Sequence, residues 1–230
     1  MKHIAIVLAA GSGKRMGTDC PKQYLELEGK PVLYYCLKTF EDSFMDEVIL
    51  VTRPEDIEMC RRDIVNKYGF SKVSQIIAGG KERYESVYNG IQAVEDEDSY
   101  VYIHDGARAF ITNEVLLKTK KAVEESSACL VCVPSKDTIK VSDSDGNVDN
   151  TPSRSRLWCA QTPQAFKREV LLKAFNTMMA KEGDKDITDD ASVVEKYSDV
   201  KVKIVEGDYT NIKITTPEDL QMGKMILRLN

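Results

Sequence analysis

The residues best placed to do chemistry are Ala9-Ala10-Gly11-Ser12-Gly13-Lys14-Arg15-Met16, followed closely by Pro21-Lys22-Gln23-Tyr24. Two glycines let backbone N–H groups approach an anion, and Lys14, Arg15 and Lys22 add full positive charge. The apolar run at 4–8 reads as a buried strand leading into this turn. In open α/β sheets ligands bind at the carboxyl ends of strands, so the expected ligand is a nucleoside triphosphate. Two other phosphate loops do not fit. A Walker A loop needs a glycine where Leu8 stands and a Ser or Thr where Arg15 stands, and a dinucleotide fingerprint needs a third glycine at Met16. A nicotinamide cofactor is therefore not expected.

A second group of polar residues recurs at predicted strand ends: Arg108, Arg154 and Lys213, with Asp105 closing the run 100–104. A hard oxygen ligand at Asp105 suits Mg²⁺ beside a polyphosphate, although such an acid also serves as a cap or turn residue. The net charge of -5 argues against a nucleic-acid partner, so the local cations point to a small phosphate ligand. Six cysteines lie mostly in apolar segments; Cys129 and Cys132 have C-x-x-C spacing inside a strand-like run, where residues three apart face opposite ways. They are expected to be reduced packing residues rather than zinc ligands. No apolar run could span a bilayer, and Met1-Lys2-His3 leads straight into the first strand, so no signal peptide, no membrane partner and a cytoplasmic location are expected.

These groups must be positioned by regular elements. Strands are predicted at 4–8, 47–52, 74–78, 100–104, 128–133, 201–205 and 211–215, and helices at 31–40, 54–67, 82–94 and 113–125. Prolines open the first two helices, as their missing N–H permits. This alternation predicts an α/β fold with a mostly parallel, Rossmann-like sheet covered by helices on both faces, in one domain over 1–230. The segment 135–161 breaks the pattern. Strands at 138–141 and 156–159 would flank the turn Asp143-Ser144-Asp145-Gly146-Asn147 as an extended β-arm, which needs a partner surface. Thr188-Asp189-Asp190 reads equally as site acids or as a helix N-terminus.

Ala9-Ala10-Gly11-x-Gly13-x-Arg15-Met16 with Pro21-Lys22-Gln23 resembles the signature loop of sugar-phosphate nucleotidyltransferases. Further motifs occur in order: Gly79-Gly80-Lys81-Glu82-Arg83-Tyr84-Glu85-Ser86-Val87, His104-Asp105-Gly106-Ala107-Arg108, Asp137-Thr138-Ile139-Lys140, Leu157-Trp158-x-Ala160-Gln161-Thr162-Pro163-Gln164-x-Phe166, Thr188-Asp189-Asp190-Ala191-Ser192 and Asn211-Ile212-Lys213-x-Thr215-x-Pro217-Glu218-Asp219-Leu220. Together they resemble the 2-C-methyl-D-erythritol 4-phosphate cytidylyltransferase family. The resemblance implies transfer of a cytidylyl group from CTP to that polyol phosphate, with Mg²⁺, and a homodimer in which each arm helps build the neighbour's acceptor site.

The same resemblance assigns Arg15, Lys22, Arg154 and Lys213 to catalysis and Asp105 to the metal. It assigns Ala9, Ala10, Gly11, Gly13, Gly80, Arg83, Ser86, Ala107, Arg108, Thr138 and Thr188 to substrate binding. Gly80 and Ser86 would recognise cytosine, and Arg154 and Lys213 the acceptor phosphate. The acceptor oxygen is already anionic, so no general base is required and His104 is expected to be structural. Three places depart from the family pattern: Lys81 where Asp is frequent, Ala109 where Pro is common, and Pro152-Ser153 before Arg154 where Leu-Asp is usual. The alternatives are a cytidylyltransferase for another polyol phosphate, such as ribitol 5-phosphate, and a non-catalytic nucleotide-binding regulatory protein.

Overall fold

The computed structural model describes residues 1–11, 21–181 and 187–229. Strand β1 (Lys2–Ala9) lies in a seven-stranded sheet with β4 (Glu47–Thr52), β5 (Val73–Ala78), β6 (Ser99–Asp105), β7 (Ala128–Pro134), β10 (Trp158–Lys167) and β11 (Lys203–Glu206). The spatial order is β11-β7-β10-β6-β1-β4-β5. All neighbours in it pair in parallel except β10, which runs antiparallel to both β6 and β7. The expected mostly parallel α/β fold is thus what the chain adopts.

Parity along β1 explains the layering. Ile4 and Ile6 pack into one core, whereas Ala5, Val7 and Ala9 pack into another. Successive side chains on a strand face opposite ways, so an unbroken apolar run is buried only where both faces are covered. One face carries α1 (Val32–Glu41) and α4 (Asn113–Ser126), whose Leu33, Leu37, Val115 and Leu116 belong to the core of Ala5, Val7 and Ala9. The other carries α3 (Arg83–Gln92), α5 (Arg168–Met179) and α6 (Asp190–Tyr197), through Val87, Ile91, Phe175 and Val193. The C-terminal helix α7 (Pro217–Leu229) closes a smaller cluster around Leu27, Phe110 and Ile226.

The predicted helix 54–67 begins with a 3₁₀ turn at Pro54–Asp56, passes through the short α2 (Ile57–Met59) and widens into a π-helical stretch, Cys60–Asn66. One predicted strand needs correction, and one strand was not predicted. Residues 211–215 form no strand, because their polar groups pair with side chains and turns: Asn211 Nδ2 donates to Thr162 O at 2.9 Å, Ile214 N–H to Ala107 O at 2.9 Å, and Thr215 N–H to Asp219 Oδ2 at 2.8 Å. Conversely, 161–167 is strand despite Pro163. Its register shifts between Ala160 and Gln164, and that irregularity accommodates the missing donor.

The segment 135–161 is ordered differently from a long ribbon. Only β8 (Val141–Ser142) and β9 (Val148–Asn150) pair, around a turn in which Asp143 Oδ1 accepts from the N–H groups of Asp145 at 3.0 Å and Asn147 at 2.8 Å. Gly146 takes φ 85° there, a left-handed conformation that suits glycine. Of the expected second arm strand, 156–159, Arg156 ends a 3₁₀ turn, Arg154–Arg156, and Trp158 and Cys159 instead begin β10 along β7, with Trp158 opposite Pro134. The short strands β2 (Glu26–Leu27) and β3 (Lys30–Pro31) form a separate hairpin before α1.

Candidate active site

The chain leaves β1 on one side for β4 and β5, then returns to the other side for β6. The carboxyl ends of β1 and β6 therefore flank the point where the winding reverses, which is where open α/β sheets form a crevice. The β1–β6 ladder runs to its last residues, matching Leu8 with Asp105, and Gly106 N–H adds a bond to Leu8 O at 2.8 Å. The acid and the start of the glycine turn are held side by side by backbone hydrogen bonds.

A cavity of about 220 Å³ opens at this point, lined in part by Ala10, Gly11, Lys22, Gly80, Arg83, Ser86, Asp105, Ala107 and Lys213. Lys22 enters through a 3₁₀ turn, Lys22–Tyr24, which two neighbours fix in place. Gln23 is buried and its Nε2 donates to Ala9 O at 2.6 Å and Gly11 O at 3.1 Å, while the Tyr24 hydroxyl shares a 2.6 Å hydrogen bond with Thr52 Oγ1. Gln23 is thus a site-forming residue that the sequence motif contained but whose role its type did not reveal.

Asp105 is the electrostatic centre. Lys213 Nζ lies 2.7 Å from its Oδ2, Arg83 Nε lies 3.4 Å from its Oδ1, and Arg108 Nε lies 3.9 Å from its Oδ2. Burial pushes the carboxyl up, but Arg83, Lys213 and Arg108 outweigh it and hold the acid well below the usual carboxylate range. Arg108 is held by its backbone partners, donating from NH1 to Asn211 O at 2.7 Å and from NH2 to Ala160 O at 3.3 Å. Burial draws its guanidinium downward, with Asp105 opposing. Such a site concentrates cations around one ionised acid, a suitable receptacle for a polyphosphate whose own charge exceeds the acid's.

The loop before α3 forms the opposite wall. Glu82 and Glu85 make a reciprocal capping box, and Glu85 Oε2 also accepts from Lys81 N–H at 2.6 Å. Ser86 Oγ accepts from Gly80 N–H at 3.0 Å and donates to Glu82 O at 3.3 Å, so the two proposed base-contacting residues are bonded to each other. A Cβ at Gly79 would come 2.7 Å from both Ala10 Cβ and Ser86 Oγ. A Cβ at Gly80 would collide with Glu85 Cβ. Both glycines are needed for close approach rather than for an unusual dihedral.

Behind Asp105, His104 is fully buried and hydrogen-bonds Thr162 Oγ1 at 3.0 Å and Arg108 O at 3.1 Å. Burial pushes its imidazole down to about 4, so it stays neutral, the state a structural histidine needs. Thr162 Oγ1 also accepts from Asp105 N–H at 3.1 Å, and Asn211 ties the Thr162 carbonyl to the segment carrying Lys213. Thr162 and Asn211 were contained in motifs but not singled out as site-forming; their buried polar groups, two residues from Pro163 and Lys213 at most, were the available signal.

Several expected site residues lie elsewhere. Gly13 and Arg15 fall outside the described residues. Ala9 is buried at the end of β1 and contributes its carbonyl to Gln23 rather than a surface to the cavity. Arg108 sits behind Asp105 and is not among the residues lining the cavity. Thr138, Arg154 and Thr188 are exposed and also do not line it; Arg154 NH1 donates to Lys136 O at 3.3 Å. Of the six cysteines, Cys36, Cys60, Cys129 and Cys132 are buried and unbridged, whereas Cys159 is exposed, contrary to a purely packing role. No described helix is long and apolar enough to cross a membrane.

The family model IspD, 2-C-methyl-D-erythritol 4-phosphate cytidylyltransferase, matches residues 3–229. The protein of that name from Lachnospira eligens is 48% identical over 98% of this chain and 99% of its own length. The one from Lachnoclostridium phytofermentans is 47% identical, over 99% and 97%. Among solved structures, 4-diphosphocytidyl-2C-methyl-D-erythritol synthase from Anaerococcus prevotii superposes with a TM-score of 0.87 at 36% identity, covering 99% of this chain and 96% of that one.

Proposed function

Because the chain belongs to the 2-C-methyl-D-erythritol 4-phosphate cytidylyltransferase family, enzymes of isoprenoid precursor synthesis, we propose that its Asp105 cavity binds CTP and carries out the transfer. The reaction joins the cytidylyl group of CTP to 2-C-methyl-D-erythritol 4-phosphate and releases pyrophosphate. One observation carries the assignment of the site: Lys22, Arg83 and Lys213 share a single cavity with Asp105 at the carboxyl ends of β1 and β6.

The acceptor phosphate oxygen attacks the α-phosphorus in line as the bond to pyrophosphate breaks. Nucleophile and substrate are both anionic, so the barrier is dominated by repulsion, and catalysis consists of positioning and charge stabilisation. Lys22 serves the α-phosphate, whose non-bridging oxygens gain charge in the transition state. Arg15 serves the departing pyrophosphate. Gly11, Gly13 and the nearby Ala9 and Ala10 backbone cradle the triphosphate, while Gly80 and Ser86 meet the base. Arg83 and Ala107 shape the nucleotide wall. Lys213 orients the acceptor phosphate from its place on Asp105 Oδ2.

The residues present fit a divalent cation carried by the nucleotide. Asp105 is held ionised, and among the described residues its Oδ1 takes only the long 3.4 Å contact from Arg83. Among the described residues no three His, Cys, Asp or Glu side chains could jointly hold an ion, so Asp105 and substrate phosphates would be the ligands, as suits Mg²⁺. When bound, Mg²⁺ supplies further neutralisation of phosphate charge.

The exposed segment carrying β8 and β9 supports a homodimer. Ile139, Val141, Val148 and Trp158 are all solvent-exposed, and a short ribbon is marginal without a surface to rest on. Across that contact, Thr138 and Arg154 reach the partner's acceptor pocket, with Thr188 and Lys213 completing the acceptor side. Arg offers a planar fork for phosphate that Lys lacks. The protein acts in the cytoplasm, as one nucleotidyltransferase domain over 1–230. Its mass in solution is expected to be twice 25.9 kDa; a fully active monomer at micromolar concentration contradicts the arm's role.

Incubation with CTP, Mg²⁺ and each polyol phosphate, followed by pyrophosphate release, tests the substrate. Release is expected with 2-C-methyl-D-erythritol 4-phosphate and not with ribitol 5-phosphate. Activity with ribitol 5-phosphate alone reassigns the acceptor, and CTP binding with no release for any acceptor points to the regulatory alternative.

A further inference from the structure

Asp190 is the most deeply buried acid near the cavity, with a side chain 1% exposed, and the transfer chemistry does not use it. It is not needed to cap α6 either, because Asp189 is the cap and its Oδ1 accepts from Ser192 N–H at 2.9 Å. Instead Asp190 holds the Arg83 guanidinium bidentately, with Arg83 NH1 at 2.9 Å from Oδ1 and NH2 at 2.8 Å from Oδ2. With both terminal nitrogens turned to Asp190, Arg83 meets Asp105 through its Nε, at 3.4 Å.

The mounting of Asp190 is rigid. Gln164 on β10 donates from Nε2 to Asp189 Oδ2 at 3.0 Å and accepts from Ala191 N–H at 2.8 Å, gripping both flanks of Asp190. Gln164 is itself registered against Ile103, two residues before Asp105. The start of α6 is thereby tied to the same strand that carries the acid.

We infer that Asp190 is a positioning residue: by occupying the guanidinium fork of Arg83, it keeps that fork from closing on Asp105 and so leaves a carboxylate oxygen open to the cavity. A buried ion pair is weak evidence for stability, whereas fixing the orientation of a planar cation is a task that a bidentate carboxylate performs well. If Asp190 were neutral, the best remaining anion for Arg83 would be Asp105. Bidentate pairing there would occupy both oxygens and displace Lys213. The inference rests on the proposed role of Asp105.

The test uses the full chain and Mn²⁺ as a spin-active probe, with binding to the enzyme–CTP complex read by electron paramagnetic resonance alongside kcat and KM. Outer-shell changes typically cost about 10–100-fold in metal affinity or activity. Asp190→Asn is therefore expected to weaken Mn²⁺ binding and lower kcat by about tenfold or more, with KM for CTP changed by less than about threefold. The double variant Asp190→Asn with Arg83→Gln removes the guanidinium that would close on Asp105, so it is expected to recover Mn²⁺ binding relative to the single variant. A merely structural Asp190 gives no such recovery. If Asp190→Asn does not fold, Asp190→Glu, whose longer side chain pushes the guanidinium toward Asp105, is expected to weaken Mn²⁺ binding in the same direction. Wild-type Mn²⁺ binding in either folded single variant, or a double variant no better than Asp190→Asn, overturns the inference. Absence of pyrophosphate release by the wild-type enzyme would instead remove the proposed function, and the Mn²⁺ measurement still decides the positioning role.

Discussion

Lys22→Ala is expected to lower kcat by about 10²–10³, or roughly 3–4 kcal/mol of transition-state stabilisation, while KM for CTP changes by less than about tenfold. The asymmetry follows from where charge develops. The triphosphate is anionic before and during reaction, and many backbone and cationic groups share the task of binding it. The extra negative charge on the α-phosphate oxygens exists only as the acceptor arrives. A cation in the turn fixed by Gln23 and Tyr24 is pre-aimed, and it needs no reorganisation when that charge appears. Steady-state kinetics with both substrates varied, together with calorimetric CTP binding, checks this. Turnover within about tenfold of wild type removes Lys22 from the catalytic role.

Asp105→Asn is expected to destabilise the fold as well as abolish turnover. The substitution preserves size but leaves Lys213 and two arginines without their shared anion. Removing one partner of a buried pair commonly costs about 3–5 kcal/mol, because the remaining charge stays desolvated. For a chain of this size that corresponds to a fall in Tm of roughly 6–20 °C. The pH dependence has a definite sign. The native carboxyl lies below its ordinary value of 3.8, so its contribution is complete above that value and fades as pH falls through the lower native one. The stability gap between wild type and Asp105→Asn should therefore be constant near neutrality and shrink only below about pH 4. Denaturant titrations at pH 7 and at pH 3 to 4 measure it. A variant equal to wild type at pH 7 would mean that the three cations do not depend on Asp105.

Much of the fold was legible because it depends on local pattern. The strand at 47–52 and the helices beginning near Pro31 and Asn113 came from short-range periodicity and proline placement. β10 was not legible, because Pro163 within a run argues against strand, and only the register shift beside it shows how the sheet accommodates that residue. Residues 211–215 misled in the opposite way. Their alternating apolar residues satisfy a strand template, but the Asn211 carbonyl is taken by Arg108 NH1 and the Thr215 N–H by Asp219 Oδ2. In the candidate site, the residue types announced a phosphate-binding turn and a lone strand-end acid. They could not announce which distant groups meet: Arg83 and Asp190 are 107 positions apart, and nothing in Thr188-Asp189-Asp190 distinguishes the acid that caps from the acid that grips an arginine.

The pairing of Leu8 with Asp105 has a consequence for how this catalyst can change over generations. Strand register advances in whole residues, and each single step turns every side chain to the opposite face. An insertion or deletion of one residue within β6 upstream of the acid would send its carboxylate into the layer beneath α1, away from every cation it now meets. Intermediate arrangements do not exist for gradual selection to refine. The two central strands must be inherited in step.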